Sequence, residues 1–220
     1  RGHEKRRTAS MMLSHHPTGV IVTGARAGER VAINPLVTCG TCRNCRDGRQ
    51  NLCGQRQIIS MPPRQGAFAE FVAIPEINLV TLPDELSMSA AALAEPIAVS
   101  HHAVRLGAKV LHRPIASATA VVIGGGAIGL GAALILRQRG AGQIIVLESN
   151  PRRAAVLRQE PGLQVVDSAD IHVPAAGMAE IVIDAVGSEA TRQAACSIAR
   201  AGAVIVHAGL QTPSGGIDAR

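Results

Sequence analysis

Residues 120–129 read Ala-Val-Val-Ile-Gly-Gly-Gly-Ala-Ile-Gly, and this stretch decides the fold of the second half of the chain. An apolar run with strand character enters a G-x-G-x-x-G turn, and a helix-like stretch follows. The first glycine allows a tight turn, the second lets a pyrophosphate approach the backbone, and the third lets helix and strand pack closely. The helix N-terminus supplies free N–H groups and the positive end of a dipole. The predicted cofactor contacts in this turn are Gly124, Gly126, Ala127, Ile128 and Gly129.

The residues around this turn repeat the same alternation of strand and helix. Apolar runs at 144–147, 181–184 and 203–206 alternate with helical patterns that begin at Pro151 and cover 189–200. Short buried strands that alternate with helices predict βαβ units and a parallel sheet. The sequence therefore predicts an α/β protein with a Rossmann-type doubly wound sheet. A flavin site and an empty Rossmann domain are the alternatives to a nicotinamide dinucleotide site.

Glu148 follows the second apolar run, 19 residues after Gly129. An acid at this place accepts hydrogen bonds from the adenosine ribose hydroxyls and repels a 2′-phosphate, so NAD is favoured over NADP. Arg152 and Arg153 are close in sequence and leave NADP open as the less favoured cofactor. Arg153 is counted among the cofactor contacts.

Four cysteines are crowded into residues 39–53. Cys39, Cys42, Cys45 and Cys53 have the spacing C-x2-C-x2-C-x7-C. Zinc favours four ligands in a tetrahedron, and thiolate suits it. Four cysteine ligands leave no open coordination position, so the spacing predicts a structural zinc site. A disulfide pair and an iron–sulfur cluster are the alternatives.

The charge and composition exclude several classes of protein. Residues 1–56 carry ten Lys/Arg and three acids, and residues 57–220 carry twelve and thirteen, which gives +7 and −1. The basic segment 1–56 could bind a polyanion. The same segment contains four cysteines, and its basic residues would offset the negative charge of these cysteines as thiolates. With aromatics at 1% there is no base-stacking platform. No nucleic-acid partner is expected, and no run of 18 apolar residues predicts a membrane span.

Five cysteines without a visible signal peptide favour a cytoplasmic protein with metal ligands or free thiols. The chain starts at Arg1 and not at Met, so we expect its true N-terminus to be missing.

The order of these features resembles the zinc-dependent medium-chain alcohol dehydrogenase family from about residue 28 to 216. Residues 28–31 resemble the family's G-D-R-V turn, and 66–71 resemble its G-G-x-A-E-Y strand. Residues 94–97 resemble the E-P-L segment of the sorbitol, idonate and threonine dehydrogenase branch. Residues 185–187 and 209–210 resemble loops that line the cofactor, which adds Val186 and Gly209 to the cofactor contacts.

The resemblance implies a mainly β, GroES-like catalytic domain over residues 1–110, followed by an NAD-binding Rossmann domain over 111–220. Both domains are expected to be incomplete. The implied activity is hydride transfer between NAD and a secondary alcohol such as a polyol or sugar acid, with threonine-type amino alcohols second. Full-length members of the family are expected to form homo-oligomers.

A catalytic zinc is implied by the same resemblance. Gly2-His3-Glu4 resembles the family's G-H-E motif, so His3 would be a ligand and Glu4 an exchangeable or supporting one. Glu95 would be a further ligand, where the alcohol-oxidising branch usually has Cys. The family's first ligand, a Cys, lies upstream of G-H-E and is not in this sequence, and the stretch between the G-H-E motif and Gly28 does not resemble the family. An inactive relative that keeps the structural zinc, and NAD binding with it, is therefore the alternative.

Several local expectations complete the sequence interpretation. Residues 97–106 are predicted to form a helix stopped by Gly107, and 67–74 a strand ended by Pro75. No strand or helix period holds across residues 1–30, apart from a short strand at 20–22. His101 and His102 are expected on a helix, Cys196 in the core, and Asp184 in either a cofactor or a turn role.

Overall fold

A computed structural model describes residues 8–13, 18–21, 26–167 and 176–212 of the chain. The chain divides into two compact units, Arg1–Glu95 and Pro96–Arg220. This division lies upstream of the boundary at 110/111 that the sequence suggested, because the helix before the glycine turn packs with the second unit.

The first unit is mainly β, with two short helices. Its strands are β1 (Thr8–Leu13), β2 (Thr18–Ile21), β3 (Arg30–Ile33), β4 (Leu36–Val37), β5 (Gln57–Ile58), β6 (Phe71–Pro75) and β7 (Leu79–Thr81). Its helices are α1 (Arg43–Arg46) and α2 (Met88–Ala91). Short 3-10 turns cover Gln50–Leu52 and Glu76–Asn78. The Ser87 hydroxyl caps α2 by accepting the N–H of Ala90.

Five strands of this unit form one antiparallel sheet in the order β6-β1-β2-β3-β7. Strands β4 and β5 form a separate pair in which Val37 lies opposite Gln57. Strand β4 precedes the four-cysteine loop and β5 follows it, so both ends of the loop are held by the same two-stranded sheet. The main buried cluster of this unit is aliphatic: Ile21, Val31, Ile33, Val37, Val72, Ile74 and Leu79.

Strand β1 was not predicted from the sequence. It occupies an interior position in the antiparallel sheet, where it pairs with β2 on one side and β6 on the other. The sequence also extended the strand before Pro75 too far upstream, since β6 begins at Phe71 and Phe68 is fully exposed. Both errors concern pairing between distant segments, which fixes where a strand begins.

The second unit alternates strands and helices. Its strands are β8 (Thr119–Ile123), β9 (Gln143–Glu148), β10 (Gln164–Asp167), β11 (Ala179–Asp184) and β12 (Ala199–His207). Its helices are α3 (Ala94–Val110), α4 (Ala127–Gln138), α5 (Pro151–Leu157) and α6 (Glu189–Ile198), and Ile115–Ser117 form a 3-10 turn. The helix predicted to start at Pro151 is confirmed, with Asn150 as its cap.

The five strands found in the described part of the second unit are parallel, in the order β10-β9-β8-β11-β12. Alternate residues of β8 face opposite layers, with Ala120 and Val122 in one buried cluster and Val121 and Ile123 in the other. Helix α4 packs in the first cluster and α6 in the second, so both faces of the sheet are covered. The strand order reverses between β8 and β11, which confirms the predicted doubly wound α/β fold.

Gly107 does not stop the helix before the glycine turn, because α3 continues to Val110. A Cβ on Gly107 would lie 2.7 Å from Ile181 Cδ1 and 3.2 Å from Val206 Cγ2. The glycine therefore serves close packing of the helix on β11 and β12, a role that the sequence expectation missed.

Cys196 lies on the predicted helix α6, but its side chain is exposed and not in the core. The buried face of α6 is formed by its neighbours Ala194, Ala195 and Ile198. The alanine-rich sequence around Cys196 did not indicate whether this cysteine lies on the buried or the exposed face of the helix.

Candidate functional site

A cleft of about 530 Å³ opens at the carboxyl edge of the parallel sheet. Its walls are the glycine turn after β8, the loop after β9 and the loop after β11, which meet where the strand order reverses. Doubly wound sheets bind ligands in this crevice, and the volume lies in the usual range for small-molecule sites. The lining residues are Ile123, Gly124, Gly126, Leu147, Glu148, Ser149, Arg153, Ala185, Val186, Ser188, Thr191 and Gln211.

The three glycines of the turn have different surroundings. Gly124 has a φ of +89°, a left-handed conformation that L side chains rarely adopt. Gly126 is the N-cap residue of α4, and no side chain caps the N–H groups of the first turn. A Cβ on Gly126 would have no other atom within 4 Å. A Cβ on Gly129 would lie 1.7 Å from the carbonyl oxygen of Gly124. The turn thus leaves open space beside the helix N-terminus, where Ala127 and Ile128 form the first turn, and this space suits a pyrophosphate.

Glu148 ends β9 and is 2% exposed. Its carboxylate accepts four hydrogen bonds: from Gly125 N at 2.8 Å, Asn150 N at 2.6 Å, Arg153 Nε at 2.8 Å and Arg153 Nη2 at 2.9 Å. These bonds occupy all the acceptor positions that a carboxylate offers. Glu148 therefore ties the glycine turn to the loop after β9.

Arg153 supplies the side-chain hydrogen bonds that Glu148 accepts. Its side chain is 54% exposed, whereas the other two donors are backbone N–H groups. The hydrogen bond to Glu148 raises the pKa of Arg153, so the guanidinium stays charged.

Burial raises the pKa of Glu148, but the hydrogen bonds from Arg153, Asn150 and Gly125 outweigh it, and the pKa is lowered below its ordinary value. The sign follows from this lowering. The carboxylate stabilises the fold at all pH values above its unfolded pKa of about 4.3, and this contribution is lost as the pH falls through the lower folded pKa.

We expect Glu148→Gln to destabilise the chain by about 1–3 kcal/mol near neutral pH, because buried N–H donors lose their charged acceptor. The difference between the two proteins should shrink as the pH falls below about 4. Thermal unfolding of both proteins from pH 3 to pH 8 measures it. A difference that does not change over this range would contradict the assignment.

The sulfur atoms of the four-cysteine loop converge. The Sγ atoms of Cys39, Cys42, Cys45 and Cys53 all lie within 4.8 Å of one another. Cys42 Sγ is 3.5 Å and Cys39 Sγ is 3.9 Å from Cys45 Sγ. A tetrahedral zinc with Zn–S bonds of about 2.3 Å requires sulfur separations of about 3.8 Å. The donor set and its spacing therefore fit one zinc ion, and the sulfurs are too far apart for a disulfide, which needs about 2.05 Å.

Backbone N–H groups support thiolates in this loop. The N–H of Thr41 and then that of Cys42 lower the pKa of Cys39 to about 6. The N–H of Cys39 donates to Cys53 Sγ at 3.5 Å, and Cys53 is fully buried. Helix α1 carries Cys45 inward, where its side chain is buried. At Cys42 the N–H of Cys45 lowers the pKa, but the Cys45 sulfur, burial and the sulfurs of Cys39 and Cys53 outweigh it and raise the pKa to about 11. The backbone thus favours the thiolate that a metal needs at Cys39, whereas the crowded sulfurs oppose it at Cys42.

The residues predicted for the catalytic zinc are not brought together in the described part of the chain. His3 and Glu4 lie outside the described residues. Glu95 lies in the first turn of α3 and is exposed. His101 and His102 lie further along α3, and His101 Nε2 is 3.3 Å from Arg139 Nη2.

Four polar cleft residues were not predicted from the sequence: Ser188, Thr191, Gln211 and Ser149. Ser188 and Thr191 cap α6 in a reciprocal capping box, and Gln211 lies two residues after Gly209. Ser188 had a readable signal, because serine before a helical pattern is a favoured N-cap residue. Gln211 had no signal, because its main-chain N–H bonds to Val186 O, and that contact joins two loops distant in sequence.

The chain matches known proteins over both units. Residues 1–84 match the family model described as the alcohol dehydrogenase GroES-like domain. A protein named "Probable D-xylulose reductase A" from Neosartorya fischeri is 32% identical over 91% of this chain and 59% of its own length. The L-galactonate-5-dehydrogenase of Escherichia coli K12 is 33% identical over 90% of this chain and 60% of its own length. The chain thus spans about three fifths of these relatives.

A solved structure shows the same fold. Alcohol dehydrogenase TADH from Thermus sp. ATN1 superposes with a TM-score of 0.83 at 22% sequence identity, covering 99% of this chain and 75% of that one. Within the described residues, no helix has the length and apolar character that crossing a bilayer would require.

A parallel dinucleotide-type sheet with a glycine-turn cleft, preceded by a β-rich unit with a four-thiol loop, defines the class of zinc-containing, nicotinamide-linked dehydrogenases. Within that class, the chain belongs to the zinc-dependent medium-chain alcohol dehydrogenase family, in the branch that resembles polyol, sugar-acid and threonine dehydrogenases.

Proposed function

We propose that the chain is part of an enzyme that transfers a hydride between NAD and a secondary alcohol such as a polyol or sugar acid. The observation that carries the proposal is the cleft at the sheet edge, where the open cap of α4 faces Glu148 and Arg153. Relatives named for a ketose and a sugar acid support the substrate class.

The cofactor proposal is NAD, with NADP as the less favoured alternative. A buried carboxylate at the end of β9 accepts from ribose hydroxyls and repels a 2′-phosphate. Arg153 would favour NADP only if its guanidinium left Glu148 and bound the 2′-phosphate. Gly124, Gly126 and Gly129 would hold the pyrophosphate, and Val186 and Gly209 the other half of the cofactor.

For the metals we propose a structural zinc on Cys39, Cys42, Cys45 and Cys53, and a catalytic zinc with His3, Glu4 and Glu95 among its ligands. When bound at such a site, zinc acts as a Lewis acid on the oxygen of the reacting alcohol or ketone. Residues 1–110 would form the catalytic domain and 111–220 the NAD-binding domain. We also propose a cytoplasmic homo-oligomer.

An inactive relative is the second candidate function. The family model covers residues 1–84, so the expectation that the stretch between His3 and Gly28 departs from the family was wrong. The inactive relative is favoured instead by the metal ligands: in the described residues, the four cysteines form the only group of three or more side chains that could hold an ion. Such a protein would keep the thiol loop and the dinucleotide cleft without turnover.

Zinc content and turnover together separate the two candidates. For the enzyme we expect two zinc ions per chain by elemental analysis, and NADH formation on addition of sorbitol, a 5-carbon polyol or an aldonate. Threonine serves as the alternative substrate, and NADP replaces NAD in a parallel series.

One zinc per chain without turnover on any of these compounds would support the inactive relative. Turnover that requires NADP would overturn the cofactor assignment while leaving the reaction class intact.

A further inference from the structure

Asp184 is a fully buried acid at the carboxyl end of β11. Its Oδ1 accepts the N–H groups of Val186 at 3.0 Å and Gly187 at 2.9 Å. Its Oδ2 lies 3.1 Å from Nδ1 of His207, the last residue of β12. A buried carboxylate is costly unless it is hydrogen-bonded, and here both oxygens have donors.

His207 is the donor in this pair. A carboxylate oxygen only accepts, so the proton between the two side chains belongs to Nδ1 of the imidazole. The two residues lie directly opposite each other in the parallel ladder. The side chain of His207 is 28% exposed, so its imidazole reaches Asp184 from the rim of the sheet.

The same aspartate also holds the loop after β12. Its main-chain carbonyl accepts the N–H groups of Ala208 and Gly209, both at 2.9 Å. Gly209 then packs directly against the loop after β11: a Cβ on it would lie 2.1 Å from the carbonyl carbon of Val186. Two loops from neighbouring strands are therefore fastened to one residue.

These loops form one wall of the cleft, although Asp184 and His207 do not line it. Ala185 and Val186 come from the first loop and Gln211 from the second. The N–H of Gln211 donates to Val186 O at 3.1 Å, which joins the loops again at the cleft.

The wall corresponds to one half of a dinucleotide. The acid at the end of β9 marks the adenosine ribose, so the adenosine half lies over β8 and β9. The second nucleotide half then lies over β11 and β12, beside Val186. In NAD that half carries the nicotinamide.

We propose that Asp184 and His207 form a positioning pair that fixes the nicotinamide half of the cofactor through these two loops. The inference rests on the proposed NAD function and extends it to residues that do not touch the cofactor. Loosening the pair should weaken the nicotinamide contacts and leave the adenosine contacts intact.

The test compares two ligands on the zinc-loaded chain. NADH carries both halves, and ADP-ribose lacks the nicotinamide. For Asp184→Asn and His207→Leu we expect the Kd for NADH to rise about tenfold, the lower range for a lost hydrogen bond to a charged group. The Kd for ADP-ribose should change by less than about twofold, within ordinary variation for sites far from the contact. Because the chain contains no Trp or Tyr, NADH fluorescence can be measured without protein emission from these residues.

His207→Asn is the conservative variant, because its amide N–H can occupy the place of Nδ1–H. We expect it to restore most of the NADH affinity that His207→Leu loses. His101→Leu makes the same change at an exposed histidine of α3 and should leave both Kd values unchanged.

Equal weakening of NADH and ADP-ribose, or unchanged NADH affinity in His207→Leu, would overturn the positioning pair but not the cofactor site. If Asp184→Asn does not fold, the three histidine variants decide alone. A wild-type chain that binds neither ligand would overturn the proposed function, and the positioning pair with it.

Discussion

Gly129→Ala should destabilise the second unit by about 3 kcal/mol or more, at the upper end for an overpacked site. The added methyl would lie 1.7 Å from the carbonyl oxygen of Gly124, a backbone atom that cannot swing aside as a side-chain end can. Helix α4 must then move away from β8, which disturbs Ala132, Ala133 and Leu136 in the core. Such a loss should lower the melting temperature by about 6–12 °C in a chain of this size.

Gly126→Ala is the matched control, since it adds the same methyl three residues earlier in the same turn. Nothing lies within 4 Å of that position and its φ is −71°, so the melting temperature should change by no more than about 4 °C. The methyl would still occupy the space beside the cap of α4, so NADH affinity should fall about tenfold or more. Thermal unfolding and NADH titration of both variants check the pair. Equal melting temperatures for the two variants would contradict the packing role of Gly129.

The fold of the second unit could be predicted well from the sequence, because the patterns that determine it lie in short continuous segments. A strand, a glycine turn and a helix follow one another within residues 119–138, and each glycine has a steric reason that spacing alone conveys. Glu148 could be predicted in the same way, since one helix and one strand separate it from the glycine turn along the sequence. The four-cysteine loop is equally local, because its ligands lie within 15 residues.

The missed features depend on contacts between distant segments. Strand β1 exists because β2 and β6 pair with it on both sides, and nothing in Thr8–Leu13 alternates strongly enough to predict this. Gly107 was interpreted as a helix stop because a glycine near the end of a periodic run is usually a cap. Its actual role required knowledge of Ile181, more than seventy residues away.

Asp184 shows the same limit inside the site. Its place at the end of a strand was visible, and a turn role was one of the two expected. The backbone bonds to Val186 and Gly187 are local and correspond to that role. The contact with His207 comes from strand neighbours 23 residues apart, so only the sheet order reveals it.

Cys45→Ser should remove one zinc ion per chain and unfold the loop between β4 and β5. The hydroxyl is a poorer zinc ligand than a thiolate, and three remaining sulfurs leave a structural site incomplete. Structural zinc in small peptides contributes on the order of 10 kcal/mol, so little else in an irregular loop of this length can replace it. The damage should extend beyond the loop, because Val37 of the adjoining β4 is part of the buried core of the first unit.

Cys196→Ser is the matched control for this prediction. It makes the same chemical change at an exposed thiol on α6 of the second unit, and should leave zinc content and stability unchanged. Elemental analysis gives the zinc content of each variant and of the wild type. The difference in zinc content reports the structural ion alone, because zinc at any second site is the same in both proteins. Limited proteolysis should cut Cys45→Ser between residues 39 and 56 and leave the other two proteins intact there. A Cys45→Ser protein that retains the wild-type zinc content would show that the four sulfurs, although within 4.8 Å of one another, do not form the metal site.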